Sequence, residues 1–463
     1  MKLMLSSIII FPNKPMLVTL NTTWNIINKE DNIMKNKFLL SLFLFSFFIV
    51  DALYAFEIDR RREQFNKQYG QLFVPLPYSL PGLGTGLLFV GNFGNILDTT
   101  TDIAAIGGIG DAEFIFTFLD ELFLAPDLLY LQYLRAHGFK FALQQYSSRG
   151  MNTSKNDFKY GIGNSWDLNA PTLKLTFMDR MLEIGLGINK QSGKFQKFVT
   201  PDENDPTKQG ETVATFDPGL EINIANKIEL SSRIDYTDDY KDPRKGIRNS
   251  LFIDRQTATS SSEPSFDVVT NDLQIYIPVL EKSTIVFGLQ VSDAYVTKKG
   301  ETNIEVLKIK NGYNVCVYAP DPPACKANAE NLAKTELAVN SNGTSLPLGG
   351  GDRLRSFPEG RFQGAHTIYY AAEFRWNYSS SGGEKLDLFF IQDLVEELQV
   401  AFFFEQGSVS ETKSELGKTV RTSIGSGFRF LSGSGNLYRA DFATGNEGPN
   451  FSVIIQYPWT YRL

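Results

Sequence analysis

Residues 367–378 read TIYYAAEFRWNY. In an extended strand successive side chains point to opposite faces, so Ile368, Tyr370, Ala372, Phe374, Trp376 and Tyr378 share one side. Thr367, Tyr369, Ala371, Glu373, Arg375 and Asn377 share the other, and both charges lie there. That pattern suits a wall between hydrocarbon and water. It recurs where Leu182, Ile184, Leu186 and Ile188 alternate with Glu183, Gly185, Gly187 and Asn189, where Leu220, Ile222 and Ile224 alternate with Glu221, Asn223 and Ala225, and along Ile285, Phe287, Leu289 and Val291. Polar stretches rich in turn formers separate such runs, at 200–210, 239–246 and 257–265. Half-buried strands of a soluble sandwich alternate too, so periodicity alone leaves both architectures open.

The N-terminal region separates them. Met34, Lys35, Asn36 and Lys37 make a short basic start, residues 38–50 carry no charge, and Leu53, Tyr54 and Ala55 offer a small-residue cleavage point. This reads as an export signal over 34–55, with translation starting at Met34 and residues 1–33 a mis-assigned extension. The apolar run falls short of the roughly 20 residues a spanning helix needs, which weakens the uncleaved-anchor alternative. Cleavage after Ala55 leaves 408 of the 463 residues. Among them, 113–134 comes nearest to an apolar span, but Asp120, Glu121, Pro126 and Asp127 make it strands and a turn.

Hydrophobic residues make up 42% of the chain, a value shared by soluble proteins and by barrels with a polar lumen; the 37 Phe and 19 Tyr favour a barrel with aromatic girdles. The net charge of −7 and the lack of a basic stripe argue against a nucleic-acid partner. Arg60, Arg61 and Arg62 form a compact basic cluster, expected to be a solvated lead on the periplasmic side.

The two cysteines, Cys316 and Cys325, lie in a stretch containing Pro320, Pro322 and Pro323; export favours a small disulfide clip over two free thiols. His137 and His366 are far from that pair in sequence, so no metal site is expected, and His366 is placed where a loop enters a strand. Gly349, Gly350 and Gly351 lack the Lys-Ser/Thr of a phosphate loop, and no nucleophile elbow or His-Glu-x-x-His occurs. The adjacent acids Asp238 with Asp239 and Glu396 with Glu397 read as rim charges, not an acid/base pair.

Beyond the glycines the chain continues Asp352-Arg353-Leu354-Arg355-Ser356-Phe357-Pro358-Glu359-Gly360-Arg361-Phe362. Here it resembles the BamA/TamA-like bacterial surface antigen family, whose members carry a Leu/Val-Arg-Gly-aromatic motif and then Gly-Arg-Phe in a loop folded back into the barrel. Leu354, Arg355 and Phe357 match the first part and Gly360, Arg361 and Phe362 the second; Ser356 stands where glycine is usual. Phe403, Glu405 and Gly407 resemble the family's Phe-x-Asp-x-Gly strand, with glutamate for aspartate. Pro243 and Gly246 resemble its Pro-x-x-Gly turn, and Arg439, Asp441, Ala443, Gly448, Pro449 and Phe451 its closing segment. The resemblance implies 16 strands and, with only 56–74 between signal and barrel, a member lacking POTRA domains.

The expectation is therefore an all-β membrane protein, a closed antiparallel transmembrane β-barrel of about 16 strands over 75–463, with a long extracellular loop over 310–363 folded into the lumen. Glu405 and Phe403 face the lumen, Phe402 and Phe404 face lipid, and Arg355 pairs with Glu405 to hold the loop inside. Gly84–Asn92, with Gly82, Gly84, Gly86 and Gly91, is expected to pair weakly with the last strand around 451–457 and form a seam that opens sideways. Tyr457 or Trp459 is expected to replace the terminal aromatic, since the chain ends Tyr461, Arg462 and Leu463. The resemblance implies a non-enzymatic outer-membrane factor of a Gram-negative bacterium, without cofactors, which helps insert or translocate proteins, or lipids. Its partners would be outer-membrane lipid and unfolded outer-membrane proteins, with no small-molecule substrate. A passive porin-like channel and a surface interaction protein are the alternatives.

Overall fold

The computed structural model describes residues 59–65, 69–80, 84–318, 321–379, 391–392, 397–431 and 437–455. The expected signal peptide and start, Gly82, Glu396, and the chain end with Tyr457 and Trp459 lie outside them. The chain divides into a unit over 1–57 and one over 58–463, and every strand belongs to the second.

Sixteen strands of eight residues or more succeed one another: β1 (Gly70–Leu80), β2 (Gly84–Gly94), β3 (Asp102–Gly110), β4 (Glu113–Ala125), β5 (Leu129–Tyr146), β6 (Phe158–Phe177), β7 (Leu182–Pro201) and β8 (Gln209–Thr237), then β9 (Gly246–Gln256), β10 (Ser265–Leu280), β11 (Ser283–Lys298), β12 (His366–Ser379), β13 (Glu397–Ser410), β14 (Arg421–Leu431), β15 (Leu437–Gly445) and β16 (Gly448–Ile455). Each pairs antiparallel with its successor, so one sheet runs unbroken from β1 to β16. At the start of β1, Gln71 and Leu72 also pair with the two-residue strand Ile391–Gln392. No ladder between β1 and β16 is among the described residues, though Asn92 Nδ2 on β2 donates to Tyr438 Oη on β15 at 2.6 Å, so the two ends of the sheet approach each other.

The alternation of the sequence becomes an inverted distribution of polarity. Phe287, Leu289, Phe402, Phe404, Ile424, Phe428, Phe442, Phe451 and Val453 are exposed on the outer face, while Arg375, Arg429, Arg439, Glu373 and Glu405 are buried on the inner one. The registers Phe287↔Ala372, Ala372↔Phe404 and Phe404↔Ile424 align the apolar residues in cross-strand rows. Among the described residues no helix is long and apolar enough to cross a membrane, which says nothing of strands.

The turns β4–β5, β6–β7, β8–β9 and β10–β11 gather at one end of the sheet, the turn end; the long connection 299–365 leaves from the opposite, loop end. Three expectations need correction. The first strand begins at Gly70, not Pro75. Gly84, Gly86 and Gly91 lie on β2, hydrogen-bonded between β1 and β3, so they are one strand in from the edge where the seam was expected. The long connection is not a plain loop: it holds α1 (Ile304–Lys310) and the 21-residue α2 (Pro322–Asn342), and only the segment after α2 turns inward.

Candidate functional site

The inward segment runs from Ser345 to Phe362. It is anchored first by a short bridge, Leu348 with Phe362, whose backbone groups exchange hydrogen bonds at 2.9 Å in both directions. Leu348, Leu354, Phe357 and Phe362 are fully buried and form one apolar cluster with Tyr276, Val286, Tyr369, Ala371 and Val409 from the inner face and Met151 from the β5–β6 connection. Phe357 and Phe362 meet edge to face with ring centroids 5.0 Å apart. Gly407 makes room for this plug, since a Cβ there would lie 2.6 Å from Leu348 Cδ1.

Arg355 occupies the centre. Its Nε donates to Glu405 Oε1 at 2.9 Å, its Nη1 to Asp441 Oδ2 at 2.8 Å and its Nη2 to Glu373 Oε2 at 3.1 Å. Its backbone N–H donates to Glu405 Oε2 at 2.8 Å, and Asn450 Nδ2 donates to its carbonyl at 2.8 Å. The guanidinium lies 3.3 Å from the centroid of the Phe403 ring. One arginine thus joins β12, β13 and β15, using the planar fork that lysine lacks. Burial opposes its charge, but Glu405, Glu373 and Asp441 outweigh that and hold it above the usual arginine range.

The carboxylates are shared further. Glu373 Oε1 accepts from Arg375 Nε at 2.8 Å and lies 2.7 Å from Arg429 Nη1, while Asp441 also pairs with Arg439, which reaches Asp352 of the inserted segment. Tyr369 Oη donates to Glu405 Oε1 at 2.7 Å. Buried charges on this scale are tolerable only when each is paired.

The remaining motif residues serve the same loop. Ser356 is not among the positive-φ residues; the left-handed position falls on Leu354, at φ 49°. Ser356 instead contributes a hydroxyl 2.6 Å from that of Ser423. Gly360 has φ 65°, and Arg361 reaches Glu447 at 2.8 Å and the carbonyl of Thr153 at 2.8 Å, tying the exit of the loop to the rim. Cys316 and Cys325 are joined by a disulfide between the 3-10 turn Tyr313–Tyr318 and α2, outside the inserted segment.

Pro243 lies in the β8–β9 turn, away from the loop. Gly246 there has φ +112°, and a Cβ would sit 2.1 Å from the Tyr236 carbonyl oxygen. Asp238 accepts from the backbone of Arg244 and Lys245, and Asp239 from that of Lys241 and Asp242, so these acids build the turn. Glu397 pairs with Arg244. Burial and the Glu183 carboxylate push the Tyr240 hydroxyl up to about 12. Arg61 and Arg62, expected to be solvated, are ion-paired to Asp242 and Asp239 of this same turn, and Arg60, expected to be solvated too, to Asp235 at the end of β8.

His366 opens β12 with Nδ1 2.7 Å from Asp293, and His137 sits 2.6 Å from Asp167; neither adjoins the cysteines. Among the described residues no group of His, Cys, Asp or Glu could hold a metal ion. Sequence reasoning named Arg355 and Glu405 but not Glu373 and Asp441 as partners. Both already stood on the polar side of alternating strands, which was the available signal.

No family model matches the chain, and no curated protein does either. Among solved structures, the chain is similar to BamA from Haemophilus ducreyi lacking POTRA domains 1–3, at 11% identity and a TM-score of 0.43, over 84% of this chain and 70% of that one. It is also similar to CdiB from Escherichia coli, at 12% and 0.44, over 86% of this chain and 65% of that one. CdiB from Acinetobacter baumannii matches at 11% and 0.40, over 84% and 60%. The chain therefore spans less than two thirds of either CdiB.

Proposed function

We propose that this chain is a non-catalytic outer-membrane β-barrel of a Gram-negative bacterium that assists insertion or translocation of proteins, or lipids, through a weak seam between β1 and β16. The outward apolar rows and buried inward charges support a wall with hydrocarbon outside and a polar bore inside. Closure follows from the cost of unpaired backbone groups in lipid.

One observation carries the seam. The β1–β2 ladder is uninterrupted from Gly70↔Gly94 to Leu80↔Gly84, with Pro75 opposite Phe89 and Pro77 opposite Leu87. Proline has no N–H, so neither exchanges a ladder bond with β2, and both missing donors belong to the other edge of β1. Past Gln71 and Leu72, which pair there with Ile391–Gln392, that is the edge left to meet β16. Each absent bond removes about 0.5–1.5 kcal/mol from closure, and more in lipid. A client strand or a lipid headgroup can then compete for the edge, while the Arg355-pinned loop keeps the bore narrow.

The test is the outer-membrane protein and lipid inventory of a deletion strain carrying wild-type protein or a Pro75→Val, Pro77→Val variant. Loss of outer-membrane proteins or of lipid asymmetry in the deletion, rescued by wild type and poorly by the variant, is expected. An unchanged inventory contradicts the reading. The passive-channel alternative has one observation in its favour, a cavity of about 520 Å3 beside the inserted segment, lined by Gln132, Thr172, Asn189, Lys227, Glu229 and Asp352.

A further inference from the structure

The lead is clamped over the turn end. Arg60 donates from Nη1 to the Thr237 carbonyl at 2.8 Å and from Nη2 to that of Asp179 at 2.9 Å. Arg61 donates from Nη2 to both the carbonyl and Oδ2 of Asp242, at 2.6 and 3.0 Å, and its backbone N–H donates to the Asp238 carbonyl at 2.7 Å. Arg62 pairs with Asp239 at 2.5 Å. Gln64 Oε1 accepts from the Tyr240 N–H at 2.6 Å. Phe65 then covers the guanidinium of Arg180, 4.5 Å from its ring, with Tyr240 on another side at 4.6 Å, and touches Phe123 with centroids 5.9 Å apart.

These contacts have the composition of a peptide-recognition site: carboxylates and turn carbonyls for arginine forks, one backbone bond to fix register, and an aromatic slot. They come from Phe123 near the end of β4, from the β6–β7 turn and from β8 with the β8–β9 turn. Arg61 and Arg62 are about a third exposed, so their ion pairs are open to water and to exchange.

We propose that the turn end is a binding site for an arginine-rich, aromatic-ended polypeptide segment, and that residues 60–65 fill it in cis, so that an incoming polypeptide of that chemistry takes the place of the lead. The inference does not depend on the seam and stands or falls separately from it.

The test uses the full chain in detergent and a fluorescent peptide of residues 60–65, Arg-Arg-Arg-Glu-Gln-Phe, followed by anisotropy. Wild type, whose site is filled, is expected to bind weakly. An Arg60→Glu, Arg61→Glu, Arg62→Glu variant is expected to bind at least about tenfold more tightly. Added salt, or Asp242→Asn in that background, should reverse the gain. If the triple variant does not fold, as judged by heat-dependent migration on gels, Arg61→Ala, Arg62→Ala carries the same expectation. Equal binding by wild type and the folded variant, or a gain insensitive to both salt and Asp242→Asn, overturns the proposal.

Discussion

At the scale of single residues, the account turns on one arginine facing three carboxylates. Removing Arg355 leaves Glu405, Glu373 and Asp441 buried without their shared partner, whereas removing Glu405 leaves Arg355 two acids. Arg355→Ala should therefore cost about 3–5 kcal/mol and Glu405→Ala less, with the double variant well short of their sum. Urea unfolding in micelles measures this, and additive losses would show that the two side chains act independently. Gly246→Ala should cost about 1–3 kcal/mol, because the alanine must adopt φ +112° against the Tyr236 carbonyl. Arg355 opposite Glu405 was legible from motif and alternation together. Its sharing with Glu373 and Asp441 was not, because register across β12, β13 and β15 depends on the connections 380–396, 411–420 and 432–436, which no local pattern specifies. The role of Ser356 was hidden for a related reason: its partner Ser423 lies on a strand whose phase the sequence leaves open.

At the scale of elements, strands were more legible than the segments that join them. A two-residue period survives bulges and sets which face is apolar, so residues 367–378 reported their own geometry. The helical part of the long connection, a cap made of α1, the 3-10 turn and α2, was missed because Pro320, Pro322 and Pro323 read as loop. Yet Asp321 accepts from the N–H of Ala324 at 3.0 Å, with Pro322 and Pro323 directly after it, which is a helix start. Within α2 only Ala329, Ala333 and Asn340 are buried, so no apolar stripe announced it. Its cross-link should matter locally: Cys316→Ser is expected to cost the cap about 2–4 kcal/mol and open it to protease, leaving the heat-dependent migration of the strands unchanged. Loss of that migration would show that the cap and the sheet fold as one.

At the scale of the molecule, the sheet turns apolar rows such as Phe402, Phe404 and Phe428 outward and buries Arg375, Arg429 and Arg439 on its inner face, and its two ends differ from its interior. Interior strands are paired on both edges, whereas β1 presents Pro75 and Pro77 to the edge away from β2, where among the described residues Gln71 and Leu72 pair with Ile391–Gln392. The expected glycine seam at Gly84–Asn92 is displaced by one strand because residues 56–74 read as a lead and the barrel as starting at Pro75, whereas β1 already spans Gly70–Leu80. As edge residues Pro75 and Pro77 are compatible with that strand. The most direct measurement is backbone hydrogen exchange of the full chain in lipid nanodiscs, residue by residue. The account predicts weak protection of Ser79 and of β16, beside strong protection through β2 and β12 to β14. Protection of β1 and β16 equal to that of the interior strands would contradict a seam that can open.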